Sequence, residues 1–378
     1  MKKDNKTKLV QIIADSDLSG GPRHVLGILE NVDQSKFDTF LICPKGHLSE
    51  QARKIKGVKV TSVEMGSKYD IGAVYDIKSL LEKIRTTKNP FGPMIVHTHG
   101  PRAGLLGRKA LPKGVVSIYT EHRWDADYHL DNRLNEWLQK RALKTLNYKT
   151  NLVIAVSSSV KKYLIEKRLA PESRVKIIPN GIGLDQAKAK SKKLKTNDGN
   201  NFVIGSVGNL NKQKGYEYLI SAMPKILKKY PHLMLEIVGD GEERSSLKSL
   251  KKELNIEQHV TLLGRRENPE EVMKKWDLFV SSSVAETFGI VLLEAYKVGL
   301  SVVATRVGGV PDVVKNNSTG ILVESRDSDA LAKAIIKLLE HPVLAAKLKR
   351  GGAAKLKEFD WQNIIKQLEK EYTALSSN

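Results

Sequence analysis

Two successive α/β domains, each with a parallel sheet wound on both faces, are the fold class this sequence predicts. Three observations carry that expectation. Short, near-continuous apolar runs alternate with helical patterns along the whole chain, as strands buried on both faces do. The runs fall into two series separated by a lysine-rich stretch. The chain has 378 residues, about two domains at roughly 100–200 residues each.

In the first series the strands read KLVQIIAD, FDTFLICP, VKVTSVEM, MIVHTHG, VVSIYTEH, LVIAVS and VKIIPNG. In the second they read FVIGSVGNL, LMLEIVGDG, VTLLG, DLFVSSS, SVVATR and ILVES. The segment IIPNGIGLD marks a hinge, where Pro179 ends a strand and Asn180, Gly181 and Gly183 turn the chain. The domains are therefore placed at 1–180 and 181–360, the second sheet starting near Phe202. The amphipathic tail FDWQNIIKQLEKEYTALSSN is expected to be a terminal helix (361–378) packing back towards the first domain. In doubly wound folds ligands bind beyond the carboxyl ends of the strands, so the cleft between the domains is the expected site.

Composition narrows the class. An apolar content of 40% supports real cores, and no 18-residue apolar run is present. The start, MKKDNKTKLVQIIAD, runs from a short basic tail into a strand, without the apolar core of a signal peptide. The expectation is a cytoplasmic chain that does not span a membrane. One cysteine, Cys43, excludes disulfides and a cysteine-rich metal site.

A net charge of +21 requires an anionic partner. No basic motif interleaved with aromatics occurs, so nucleic acid is not expected. The densest basic run, Lys188, Lys190, Lys192, Lys193 and Lys195, reads as a solvated loop. The stretch 132–151 sets Leu134, Trp137, Leu138, Leu143 and Leu146 beside Arg133, Lys140, Arg141 and Lys144. Such a helix suits an anionic membrane face, or packs on a sheet.

Several strand ends carry candidate chemistry. Gly20 and Gly21 follow the first strand, and a helix starting near Pro22 would aim its amides and positive dipole end at an anion. Lys214 and Gly215 stand where a helix of the second half begins, a place from which lysine can neutralise a phosphate. The Walker A spacing is absent there. Gly239 and Gly241 follow another strand, but Arg244 occupies the third glycine position of a dinucleotide fingerprint, which counts against a dehydrogenase.

His97 and His99 on one strand, and His122 and His129 after another, suggest a metal by composition. They lie on different strands without cysteine or HExxH partners, so no metal site is expected. The pairs Asp15/Asp17, Asp125/Asp127 and Asp327/Asp329 read as structural. Glu286 and Glu294 flank FGIVLL eight positions apart. Gly289 suggests that a buried helix begins between them, leaving Glu286 in the preceding loop and Glu294 two turns in. A carboxylate in so apolar a segment costs several kcal/mol unless something pairs with it. By spacing alone, a core ion pair and a ligand site are both open.

Together these pieces resemble the retaining nucleotide-sugar glycosyltransferases of the GT-B fold, family-4 type (glycosyl transferases group 1). The resemblance runs through SGG, MIVHTHG, IYTEH, VIAVSSSVKKYL, VKIIPNGI, VGNLNKQKG, IVGDGEER and SSVAETFGIVLLEA in order. It implies two Rossmann-like domains and transfer of a sugar from a nucleoside-diphosphate sugar, UDP being the commonest, to an acceptor hydroxyl. The nucleotide sugar is then a co-substrate, and no cofactor or metal is expected.

By the same resemblance Glu294 binds the ribose hydroxyls and Glu286 contacts the donor sugar. The backbone at Phe288, Gly289 and Ile290 meets sugar hydroxyls or phosphate. Lys214 stabilises the leaving diphosphate, with Gly239 beside the nucleotide. Gly20 and Gly21 let the first domain close over the phosphates, and His122 bonds a sugar hydroxyl. Many relatives carry an arginine where Asn209 stands, so part of the diphosphate charge must be met elsewhere, by Arg265, Arg266 or a helix terminus. The basic balance is compatible with a lipid-linked acceptor in cell-surface polysaccharide assembly, handled peripherally at the inner membrane face. Two rivals are a sugar-nucleotide 2-epimerase on the same fold and a basic membrane or nucleic-acid binding protein without catalysis.

Overall fold

A computed structural model describes residues 6–17, 20–87, 92–124, 132–184 and 202–377. Ser19, Asp125, Asp127, His129 and the lysine run 188–195 lie outside the described residues. The chain divides into two compact units, Met1–Gly183 with Phe359–Asn378, and Leu184–Glu358.

The first unit holds β1 (Thr7–Ile13), β2 (Phe37–Cys43), β3 (Lys59–Ser62), β4 (Met94–His99), β5 (Val116–Glu121), β6 (Leu152–Ala155) and β7 (Val175–Ile177). Their order is β3-β2-β1-β4-β5-β6-β7, with every neighbouring pair parallel. Alternate residues of β1 feed opposite cores, because successive side chains of a strand point to opposite faces. Val10 and Ile12 join Phe40, Ile42, Ile77 and Leu81 on one face. Leu9 joins Ile28, Ile95, Trp361 and Leu368 on the other. That second face belongs partly to the end of the chain. Ile182 N–H donates to the Phe359 carbonyl at 2.8 Å, and the helix Trp361–Ser376 then packs on the helix Gly20–Asn31. Trp361 fills space that only glycine leaves, since a Cβ at Gly27 or Gly181 would overlap its indole.

The second unit holds β8 (Val203–Val207), β9 (Met234–Val238), β10 (Val260–Gly264), β11 (Leu278–Ser281), β12 (Ser301–Thr305) and β13 (Ile321–Val323). Their order is β10-β9-β8-β11-β12-β13, again parallel throughout. Among the described residues, all thirteen strands match segments that the sequence assigns to strands. In each sheet the strand order reverses at one point, β1/β4 in the first and β8/β11 in the second. The carboxyl ends of strands at such a switch point open the crevice where this architecture takes ligands.

Candidate functional sites in each unit

Lys214 and Glu286, 72 positions apart in sequence, meet beyond the carboxyl ends of β8 and β11. Lys214 Nζ donates to Glu286 Oε2 at 2.5 Å, and the two side chains are 22% and 15% exposed. The local sequence fixes both ends of that pair. After β8, Asn211 Oδ1 accepts from the Lys214 backbone N–H at 3.3 Å, closing the short turn Lys212–Lys214. Gly215 follows at φ 56°, the left-handed conformation that side chains disfavour, and a Cβ there would press on the Ser282 carbonyl. The helix Tyr216–Leu227 starts from it.

Two bonds tie this loop to the one after β11. Ser282 Oγ donates to the Lys214 carbonyl at 3.0 Å, and Val284 N–H donates to the Gln213 carbonyl at 2.8 Å. From the side of β12, Gly309 N–H donates to the Glu286 carbonyl at 2.8 Å. The loop carrying Glu286 is thus held from two neighbouring strands.

Gly289, at φ 87°, heads the helix Ile290–Lys297, as the sequence suggests. Phe288 is buried beside it, and Ile290 is half-buried. Glu294 is the fifth residue of this helix rather than two turns in, because the helix is only eight residues long and starts at Ile290. It is 4% exposed, among Leu292, Leu293 and Ala295. Its Oε2 accepts no hydrogen bond from the described residues, though the carboxylate has interactions of its own.

The remaining second-unit candidates are more dispersed. Gly239 has a packing reason of its own: a Cβ would overlap the Gly208 carbonyl, where the loop after β8 crosses the end of β9. A Cβ at Gly241 would likewise crowd the Leu210 carbonyl. Asn209 is exposed on that crossing loop. Arg265 and Arg266 are exposed after β10, the edge strand two places from β8.

In the first unit, Gly20 and Gly21 are themselves the first two residues of a helix, which starts before Pro22. A Cβ at Gly20 would meet nothing within 4 Å. Of the acid pairs, Asp327/Asp329 has framework partners. Asp327 caps a helix by accepting from Ala330 N–H at 2.8 Å, and Asp329 pairs with Lys225 at 2.8 Å.

The histidines differ from expectation most. Placement of His97/His99 and His122 on separate strands is one of the two grounds for expecting no metal site, beside the lack of cysteine or HExxH partners. The sheet removes the first ground, since β4 and β5 are neighbours paired His99 to Thr120. His99 Nδ1 and His122 Nε2 are 3.4 Å apart. His24, from the helix after β1, joins them, and one ring nitrogen from each of the three lies within 4.8 Å of the others. Nothing in the sequence marked His24, which sits in the second turn of an amphipathic helix beside Val25 and Ile28. Its ring is fully buried, and neither nitrogen has a hydrogen-bond partner among the described residues.

A chain of hydrogen bonds backs this group. His99 Nε2 meets Gln11 Oε1 at 2.7 Å, and Gln11 Nε2 donates to the Tyr372 hydroxyl at 3.5 Å. That hydroxyl meets His97 Nδ1 at 2.8 Å, and His97 Nε2 meets Thr120 Oγ1 at 2.7 Å. Burial holds the imidazoles in the neutral form. It brings His97 down to about 3 and His122 to about 4, and sets His24 and His99 well below the usual histidine range.

Known proteins share this organisation. The family descriptions "Glycosyltransferase Family 4" and "Glycosyl transferases group 1" match residues 18–186 and 187–355. The capsular polysaccharide biosynthesis glycosyltransferase CapM of Staphylococcus aureus is 30% identical over 321 residues, 81% of this chain and 83% of CapM. The chain belongs to the family-4, group 1 glycosyltransferases. A second member, the UDP-Gal:alpha-D-GlcNAc-diphosphoundecaprenol alpha-1,3-galactosyltransferase of Escherichia coli, is 28% identical over 97% of this glycosyltransferase and 96% of its own length. Among solved structures, Anabaena HepE in complex with UDP superposes with TM-score 0.80 at 21% identity, covering 98% of this chain and all of HepE. At that identity the likeness speaks for the fold, and the fold of this glycosyltransferase is GT-B.

Proposed function

We propose that this glycosyltransferase moves a sugar from a UDP-sugar to an acceptor hydroxyl with retention at the anomeric carbon, and needs no metal at the diphosphate. The observation that carries the reading is the Lys214–Glu286 pair at the β8/β11 switch point, a cation and a carboxylate held rigidly where a nucleotide ligand would enter. Lys214 neutralises the departing diphosphate, with the first-turn amides of the helix Ile290–Lys297 assisting. Glu286 bonds donor-sugar hydroxyls and orients the ring. Glu294, one and a half turns along the same helix, takes the ribose hydroxyls. His122, neutral at pH 7, bonds a sugar hydroxyl, and Gly20 and Gly21 let the backbone of the first helix turn approach phosphate.

Retention without a covalent intermediate fits the two glutamates having separate tasks, unlike the paired acid and nucleophile of retaining glycosidases. Arginine is missing at Asn209, so Lys214 and helix amides carry the charge, with Arg265 or Arg266 after β10 as the further cations. The E. coli relative acts on a diphosphoundecaprenol-linked sugar by its name, and CapM serves capsule synthesis. These favour a lipid-linked acceptor in cell-envelope polysaccharide assembly.

Contact with an anionic membrane face agrees with the helix Arg133–Asn147. There Leu134, Trp137 and Leu138 are exposed at 66%, 53% and 42%, beside Arg133, Arg141 and Lys144, while Leu143 alone of the leucines named turns to the core. Among the described residues no helix is long and apolar enough to cross a membrane.

A thermal-shift panel of nucleotides and nucleotide sugars tests the reading. UDP and one UDP-sugar at about 100 times their Kd should stabilise the protein by roughly 2.7 kcal/mol. A panel in which no nucleoside diphosphate shifts the transition refutes it.

A further inference from the structure

We propose that His24, His99 and His122 form a binding site for one divalent transition-metal ion, with zinc as the ion that fits. Three elements that are remote in sequence deliver the ligands: the helix after β1, the end of β4 and the residue following β5. The geometry matches tetrahedral zinc. At Zn–N of about 2.0–2.1 Å, two ligands of a tetrahedron stand about 3.4 Å apart. His99 Nδ1 and His122 Nε2 are 3.4 Å apart, and the third nitrogen lies within 4.8 Å. Closing the wider separations by up to about 1.4 Å would seat all three.

The protonation pattern suits a metal as well. Gln11 Oε1, an acceptor, lies 2.7 Å from His99 Nε2, so the proton of that ring sits on Nε2 and the lone pair of Nδ1 faces His122 and His24. An outer hydrogen bond of this kind orients metal-ligating histidines and fixes their tautomer. Gln11 is in turn held by Tyr372.

His24 supplies the independent observation. Its ring is fully buried, packs 5.2 Å from His122 and 5.7 Å from His99 between ring centroids, and leaves both nitrogens without a hydrogen bond. Both nitrogens are buried. An ion inserted between the rings would satisfy them. Imidazole donors select zinc, copper, nickel or iron over magnesium, which takes oxygen ligands. The site is therefore separate from any cation riding on a diphosphate. Three protein ligands also leave one coordination position open.

The test uses the full untagged chain, stripped with a chelator and dialysed. Calorimetry with zinc should show one ion per chain with a Kd below about 1 μM. Cobalt in its place should give the visible absorption of a tetrahedral complex. His24→Phe, with folding checked by circular dichroism, should weaken zinc binding at least 100-fold. Gln11→Leu, which leaves all three ligands in place, should weaken it about 10–100-fold. Wild-type protein that takes up no stoichiometric zinc at 10 μM overturns the proposal. So does a folded His24→Phe that binds zinc as tightly as wild type. None of these readouts depends on glycosyl transfer, so either conclusion can fail without the other.

Discussion

Replacing Glu286 with Gln should leave UDP affinity intact or raise it while turnover collapses, and the Lys214–Glu286 geometry says by how much. The lysine is committed to the carboxylate at 2.5 Å. The gross attraction of such charges at an effective dielectric near 20 is of order 4 kcal/mol. Desolvation and side-chain ordering offset most of it, and fully exposed pairs net only about 0–1 kcal/mol. At 22% and 15% exposure, we expect a net coupling of about 1–2 kcal/mol. A double-mutant cycle with Lys214→Met and Glu286→Gln, read by urea unfolding, measures it. A diphosphate drawing Lys214 away must break that coupling, so Glu286→Gln should tighten UDP binding by up to about 5–30-fold at 1.4 kcal/mol per tenfold. Lys214→Met should weaken UDP about 10–100-fold, since a charged hydrogen bond is worth about 1.5–3 kcal/mol, yet change UMP affinity less than about 3-fold. Calorimetry with both nucleotides gives all the numbers. If Glu286→Gln weakens UDP as much as Lys214→Met does, Glu286 holds the nucleotide and the division of roles is wrong.

Three other outcomes follow from the same structure. Glu294→Ala should weaken nucleotide binding by about 1–3 kcal/mol in calorimetry, and unchanged affinity would remove Glu294 from the ribose site. Burial pushes the Cys43 thiol up to about 12, so the native chain should not react with a thiol reagent at pH 8 and should release one equivalent in denaturant; fast native reaction would show the β2 core to be open. Liposomes containing anionic lipid should retain the protein at low salt and release it at high salt, since each basic residue near the surface adds about 1 kcal/mol. Arg141→Glu with Trp137→Ala should reduce that retention, and retention independent of both changes would place any membrane contact elsewhere.

The strands were legible because apolar runs of five or six residues record burial on both faces directly. Gly289 was legible as a helix start because few other residues accept its φ, and Glu294 stood out as a charge in an apolar helix. What sequence could not show were distances across the sheet. Lys214 and Glu286 lie on the loops of two strands whose adjacency is set by a crossover, so their pairing has no local signal. The same holds for His24: its position in an amphipathic helix looks like an ordinary core position, and only the order β1-β4-β5 turns it towards His99 and His122. Gly239 was read beside the nucleotide, and the fold gives that glycine a packing role that sequence could not show, the passage of the Gly208 carbonyl.

Hydrogen exchange with and without UDP tests the central claim most directly, because it locates the nucleotide without knowledge of the acceptor. Saturating UDP should slow exchange in the loop 209–216 and at the helix start 286–294, the two segments joined by Lys214 and Glu286. UDP that binds the chain but protects neither segment would contradict the assignment of the donor site.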